Sequence, residues 1–267
     1  MPKALLTAAL IVAPIVQLTL PANAQQVAQS AGPVEGVVLE DLVAANRILV
    51  DQGVLDGFGH VSIRHPNDPN RYLMARNIAP ELVTAADILE YGLDSNPIDA
   101  KGQRVFLERF IHGEVYKARP DVQAVIHSHS PSVVPFGISN HPLKPVFHMS
   151  GFLAVGVPVW EIREAASGPS NMLVSSIALG KHLATKLGDR PVALMRGHGN
   201  VVVGSNLKFA VYRAVYTEVN ARLQLQAQGL GGPLNFLTLD EGKLADETIM
   251  TQIERPWQLW RKKALGK

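Results

Sequence analysis

Apolar positions along this chain follow two rhythms, one of period two and one near 3.6, and the two alternate. In residues 37–54, Val38, Leu42, Ile48 and Leu49 recur at helical spacing while Glu40, Asp41 and Arg47 fall elsewhere, which predicts a helix. Gly53 and Gly57 break it. Residues 60–64 alternate and predict a strand, residues 65–70 predict a turn, and residues 72–74 predict a short strand. Residues 80–88 carry helix-start signals around Thr84, and residues 106–117 predict a helix stopped by Pro120. The apolar runs at 122–126, 192–195 and 201–203 predict strands. Ser205 and Asn206 can cap a last, long helix reaching about Gln228, with Leu207, Ala210, Ala214 and Leu225 on its apolar face. The glycines of 229–232 stop that helix. Strands and helices interleave without a repeat, so residues 36–232 predict one α/β domain with helices covering a sheet.

The first residues obey neither rhythm. Lys3 is the only charge before Glu35; an apolar stretch runs from Ala4 to Leu20, and Ala22-Asn23-Ala24 follows. A basic start, an apolar middle and a small-x-small end describe a cleavable signal peptide, here residues 1–24. Pro14 and Gln17 interrupt the stretch, which falls short of the roughly 20 apolar residues a membrane span needs. The expectation is therefore an exported protein, periplasmic or secreted, with no membrane contact after cleavage. Lys3 stands without a twin-arginine pair, which favours export in the unfolded state. Residues 25–35 predict a flexible linker, and residues 233–267 a C-terminal extension.

Composition narrows the chemistry. Cysteine is absent, so disulfides, thiolate ligands and thiol nucleophiles are excluded. The formal charge of +2 is close to balance and argues against a nucleic-acid partner. The basic residues Arg261, Lys262, Lys263 and Lys267 predict a solvated end.

Three histidines stand out. His127 and His129 close an apolar strand two residues apart, so their side chains point the same way. His198 sits between Gly197 and Gly199, where missing side chains let a turn approach its neighbour. Three neutral imidazoles around a divalent cation keep its charge and leave a coordination position open, as a catalytic metal site requires. Glu108, in the predicted helix 106–117, offers a carboxylate as a fourth ligand or as an acid or base. His112, one turn further on, reads as a packed or hydrogen-bonded residue.

The run Glu108, His112, Tyr116, Arg119-Pro-Asp-Val122 and Ala124-Val-Ile-His-Ser-His129, followed by Gly-His-Gly before a long helix, closely resembles the class II aldolase/adducin family. The similarity covers about residues 38–228. It implies a three-layer α/β/α sandwich with a mixed, mostly antiparallel central sheet, in a homotetramer with sites between subunits. It makes His127, His129 and His198 metal ligands, with Glu108 both the catalytic acid/base and a visitor to the metal. Zinc or manganese is the implied ion.

The departures from the family pattern speak to substrate. Where phospho-sugar members carry Gly-Asn-x-Ser, a Thr-Gly turn and Ser-Ser, this chain has Gly59-His60-Val61-Ser62, Ala75-Arg76-Asn77-Ile78 and Phe106-Leu107. Bulky apolar groups there leave a phosphate short of donors. A flat acid fits better, its ring covered by Phe106 and its carboxylate gripped by Arg76, with Asn77 beside it. Further stretches, among them Phe58-Gly-His-Val-Ser-Ile-Arg64 and Pro158-Val-Trp-Glu-Ile-Arg163, resemble the branch that decarboxylates hydroxy-methylpyridine dicarboxylates. That branch implies a chelated hydroxy acid losing carbon dioxide, with Glu108 or His60 protonating the ring carbon. His148 lies where the family places residues that reach a neighbouring subunit's site. The reading is a metal-dependent carbon–carbon lyase that decarboxylates a small hydroxylated aromatic or pyridine acid. Its alternatives are an aldolase or dehydratase acting on an unphosphorylated hydroxy-carbonyl compound, and a non-catalytic scaffold on the same fold.

Overall fold

The computed structural model describes Met1, residues 29–166 and residues 168–266. The expected signal peptide beyond Met1, and linker residues 25–28, lie outside the described residues. The main elements are α1 (Gly36–Asp51), β1 (His60–His65), β2 (Asp68–Ala75), β3 (Ile88–Gly92), α2 (Arg109–Ala118), β4 (Ala124–Ser128), α3 (Val134–Ile138), β5 (Val159–Trp160), α4 (Ile177–Leu187), β6 (Val192–Met195), β7 (Gly199–Gly204), α5 (Leu207–Gly229), α6 (Leu239–Met250) and α7 (Glu254–Leu265).

The strands form one seven-stranded sheet in the order β3-β2-β1-β4-β7-β6-β5. All neighbours pair antiparallel except β5 with β6, so the sheet is mixed and mostly antiparallel. Side chains alternate between its faces. Val61 and Ile63 of β1, Ala124 and Ile126 of β4, and Val202 of β7 join α1, α5 and α7 in one core. Val125, Val201 and Val203 face the other way, into a core shared with α2 and α4. His60 and Ser62 on β1 and His127 on β4 therefore fall on the α2 side. The register reinforces this, with His60 opposite His127 across β1 and β4.

Several elements differ from expectation. Thr84 does make a capping box with Asp87, but it opens only a short 3-10 turn, Ala85–Asp87. The chain then leaves as β3 to pair with β2, so pairing with a neighbouring strand overrides the local start signal. The second helix begins at Arg109 rather than Phe106, and Glu108 stands just before it. The long helix α5 is not the last. Thr238 opens α6 with a capping box to Glu241, and α7 follows.

The described flanking residues, 29–35 and 233–266, pack on the domain. Helix α6 packs on the 3-10 stretch His148–Val155, and α7 packs on α1. Arg261 is not a solvated end: its Nε donates to Asp41 at 2.6 Å, and Nη2 donates to Glu40. Linker residues 29–35 lie along the sheet edge, where the Ala31 N–H and the Ser30 hydroxyl both donate to Glu90 of β3. None of the described helices is long and apolar enough to cross a membrane.

Gly199 starts β7 directly after His198, and a Cβ there would meet Ser128 O at 2.0 Å. Only glycine lets β7 and the end of β4 come this close. Gly199→Ala should destabilise the fold by about 1–3 kcal/mol, the usual cost of overpacking. Urea unfolding checks this; an unchanged midpoint would contradict the packing account.

Candidate metal centre

The site forms at the end of β4, where three chain segments meet. His127 is the penultimate residue of β4 and is fully buried. His129 lies one residue past the strand, and His198 lies in the turn from β6 into β7. Glu108 reaches in from the turn before α2. One ligand atom from each of these four side chains lies within 4.8 Å of the others.

The hydrogen bonds fix which atoms face inward. His127 Nδ1 lies 3.1 Å from the Asn200 carbonyl, an acceptor, so Nδ1 carries the proton. That leaves a lone pair on Nε2, which is buried and has no hydrogen-bond partner. Glu108 Oε1 accepts the Val174 N–H at 2.9 Å, which turns Oε2 toward the histidines. Oε2 stands 3.4 Å from His127 Nε2 and 3.5 Å from His198 Nε2. His198 Nε2 in turn lies 3.1 Å from His129 Nε2.

Electron-rich atoms thus face one another in a buried space, an arrangement a cation resolves. Burial raises the cost of ionising Glu108, while positive charge at the cluster, on His127 and His198 when they are protonated, pulls its carboxyl below the ordinary range. Burial, reinforced by the neighbouring histidines, lowers His129 to about 4, so it is neutral and able to ligate. Three nitrogens and one carboxylate oxygen suit a divalent metal such as zinc or manganese.

Beside this cluster opens a cavity of about 220 Å³. Its lining includes Phe58, His60, Asn77, Phe106, Leu107, Glu108, His129 and Leu173. Phe106 packs against His60 with ring centroids 4.7 Å apart, and Phe58 lies 6.3 Å from the His129 ring. Phe58 and Leu107 are the most exposed of these apolar groups, at 70% and 59%.

Two expected substrate residues lie outside the lining. Arg76 is tied to Asp87, its Nε donating to Oδ1 at 2.6 Å, while Thr84 holds the other carboxylate oxygen. Arg76 Nε is thus engaged by Asp87, and Arg76 does not line this cavity. His148 is exposed at the start of the 3-10 stretch His148–Val155, against Phe147. Sequence reasoning gave no role to Phe58, Val174 or Asn200. Val174 and Asn200 act through backbone atoms 66 and 73 residues from their partners, so no side-chain motif announces them.

A helix-flanked mixed sheet with such a centre defines a metal-binding enzyme of the aldolase class. Residues 40–225 match the model of the class II aldolase and adducin N-terminal domain, and the chain belongs to that family. It is 34% identical to decarboxylase tropJ of Talaromyces stipitatus over 246 residues, covering 84% of this chain and 92% of that one. It is 32% identical to the 3,4-dihydroxyphthalate decarboxylase of Arthrobacter keyseri over 214 residues, covering 74% and 82%. The fold matches L-fuculose 1-phosphate aldolase from Glaciozyma antarctica PI12 with a TM-score of 0.70 at 22% identity, over 88% of this chain and 95% of that one. Decarboxylases and aldolases are both lyases, and this chain is a metal-dependent lyase acting on a small molecule.

His129→Ala should weaken metal binding by about 100-fold or more, since losing even an outer partner of a ligand typically costs roughly 10–100-fold. His112→Ala should leave metal content unchanged. Elemental analysis after dialysis against a chelator checks both; retention of metal by His129→Ala would contradict the assigned ligand set.

Proposed function

We propose that this lyase decarboxylates a small aromatic acid bearing a hydroxyl beside its carboxylate, using zinc or manganese. The observation that carries the reading is the apolar wall of the cavity. Phe106 and Leu107 stand directly before Glu108, and Phe58 stands across from them near His129. A flat ring fits between such walls, whereas a phosphate would find few donors there. The printed activities of the decarboxylase relatives support the same chemistry.

A divalent cation held by His127, His129, His198 and Glu108 would supply a Lewis acid that draws charge from the substrate's oxygens. The protein's residues do the rest. Phe58 and Phe106 hold the ring and exclude water from it. The carbon–carbon bond to the carboxyl breaks, its electron pair stays on the ring carbon, and carbon dioxide leaves. The ring carbon then takes one proton, released by the substrate's own hydroxyl and passed on by Glu108. Glu108 and His60 are the two titratable side chains at the cavity that do not serve solely as ligands. Glu108 is held ionised, with Oε1 pinned by Val174, so it is suited to accept and pass on a proton rather than to bring one.

The test is carbon dioxide release from 3,4-dihydroxyphthalate by manganese- or zinc-loaded protein, beside L-fuculose 1-phosphate and an unphosphorylated hydroxy-ketone. Release from the aromatic acid should be abolished in His129→Ala. In Glu108→Gln it should fall about 10²-fold or more, the usual range for losing an acid–base group. Aldehyde formation from the hydroxy-ketone, with no carbon dioxide from the acid, would overturn the proposal in favour of an aldolase.

The same reading includes export and a homotetramer. The basic, apolar and small-x-small order of residues 1–24 supports export. Protein recovered from the periplasm should begin at Gln25; Edman degradation returning Met1 would contradict cleavage. Family resemblance supports the tetramer.

A further inference from the structure

Behind the cavity, four polar side chains form a buried hydrogen-bonded line. His60 Nδ1 meets His112 Nε2 at 2.6 Å, His112 Nδ1 meets Ser62 Oγ at 2.6 Å, and Ser62 Oγ meets the Tyr116 hydroxyl at 2.8 Å. His112 and Ser62 are fully buried, and Tyr116 is 1% exposed. The line joins β1 to α2, whose residues 112 and 116 lie one turn apart on the same helix face.

Because each neutral imidazole carries one N–H, the line runs in one of two proton directions, or else Ser62 Oγ accepts from both neighbours and its own buried O–H is stranded. In the first, Tyr116 donates to Ser62, Ser62 to His112 Nδ1, and His112 Nε2–H to His60 Nδ1. His60 then carries its own proton on Nε2. In the second, every donor is reversed, and the Tyr116 hydroxyl proton needs an acceptor elsewhere. Among the described residues, the one acceptor this hydroxyl meets is Ser62 Oγ. The second direction therefore strands a buried O–H, a penalty typically of about 1–3 kcal/mol. Both imidazoles are buried and, among the described residues, no carboxylate is hydrogen-bonded to either, an environment that disfavours a charged ring.

We propose that Tyr116, Ser62 and His112 fix His60 in its Nε2–H form, making it a hydrogen-bond donor to an anionic oxygen of the substrate. His60 lines the cavity while its Nδ1 is turned inward to His112, which leaves Nε2 as the nitrogen on the cavity side. This supplies a polar contact that Arg76, held by Asp87, does not. His60 is the group that touches substrate, and the other three are positioning residues. Only the kinetic part of the inference rests on the decarboxylase reading, because the proton's position is a property of the protein alone.

Solid-state 15N NMR of histidine-labelled protein reads which ring nitrogen bears the proton, with His60→Gln assigning the signals. Wild-type protein without substrate should show a protonated Nε2 and a bare Nδ1 at His60. Ser62→Ala leaves one unpaired His112 ring nitrogen in either direction and so removes the bias, and both forms should appear at unchanged metal content. With 3,4-dihydroxyphthalate as probe, His60→Ala should raise KM about 10-fold, the scale of losing a bond to a charged group. His60→Gln, which keeps an N–H near the same place, should recover part of that loss. A protonated Nδ1 in wild-type His60 overturns the proposal even where decarboxylation is seen. A Ser62→Ala variant whose His60 stays wholly in the Nε2–H form overturns the role of the line. If the probe is not turned over at all, the decarboxylase reading fails, while the spectrum still decides the tautomer.

Discussion

Three imidazole nitrogens and a carboxylate oxygen packed within 4.8 Å of one another are the constraint on which the rest of this structure turns. His127 has its proton committed to the Asn200 carbonyl, so its bare Nε2 faces the Glu108 carboxylate, two acceptors that repel one another. A divalent cation converts the repulsion into binding. The sheet exists in the form that brings these atoms together: β4 supplies His127, its end supplies His129, and β7 turns back through His198 at a distance only Gly199 permits.

That placement explains the division of labour between the two faces. One core, under α1, α5 and α7, is built from aliphatic and aromatic packing. The other, under α2, also admits polar side chains, because His127, His60 and Ser62 alternate onto it. These three meet partners on α2 or at the metal cluster. Arg64, reaching over the Tyr116 ring at 4.7 Å and donating to carbonyls at the end of α2, ties the same helix to β1. The helix that positions Glu108 is thus held by the network that holds His60.

Much of this was legible in the sequence, for physical reasons. Strands buried on both faces read as apolar runs, and β4, β6 and β7 were visible as such. The His-x-His spacing and the Gly-His-Gly turn carry their chemistry in side chains, so they can be read without coordinates. Short elements were not legible. β5 is two residues long, and β3 depends on its partner β2 more than on its own pattern. Helices α6 and α7 follow a glycine-rich stop that looked terminal, although Thr238 and Glu241 held a capping signal that could have revealed α6. Arg76 shows the other limit: a guanidinium suited to a substrate carboxylate is equally suited to Asp87, and only the fold decides between them.

The most direct test of the metal-centred account is X-ray absorption on zinc-loaded protein without substrate. The account predicts a shell containing three imidazole nitrogens at about 2.0–2.1 Å together with light oxygen ligands, as zinc–histidine sites show. Loss of one imidazole from the shell in His198→Ala would agree with it. A shell with fewer than three imidazoles in the wild-type protein, or one left intact by that substitution, would contradict it.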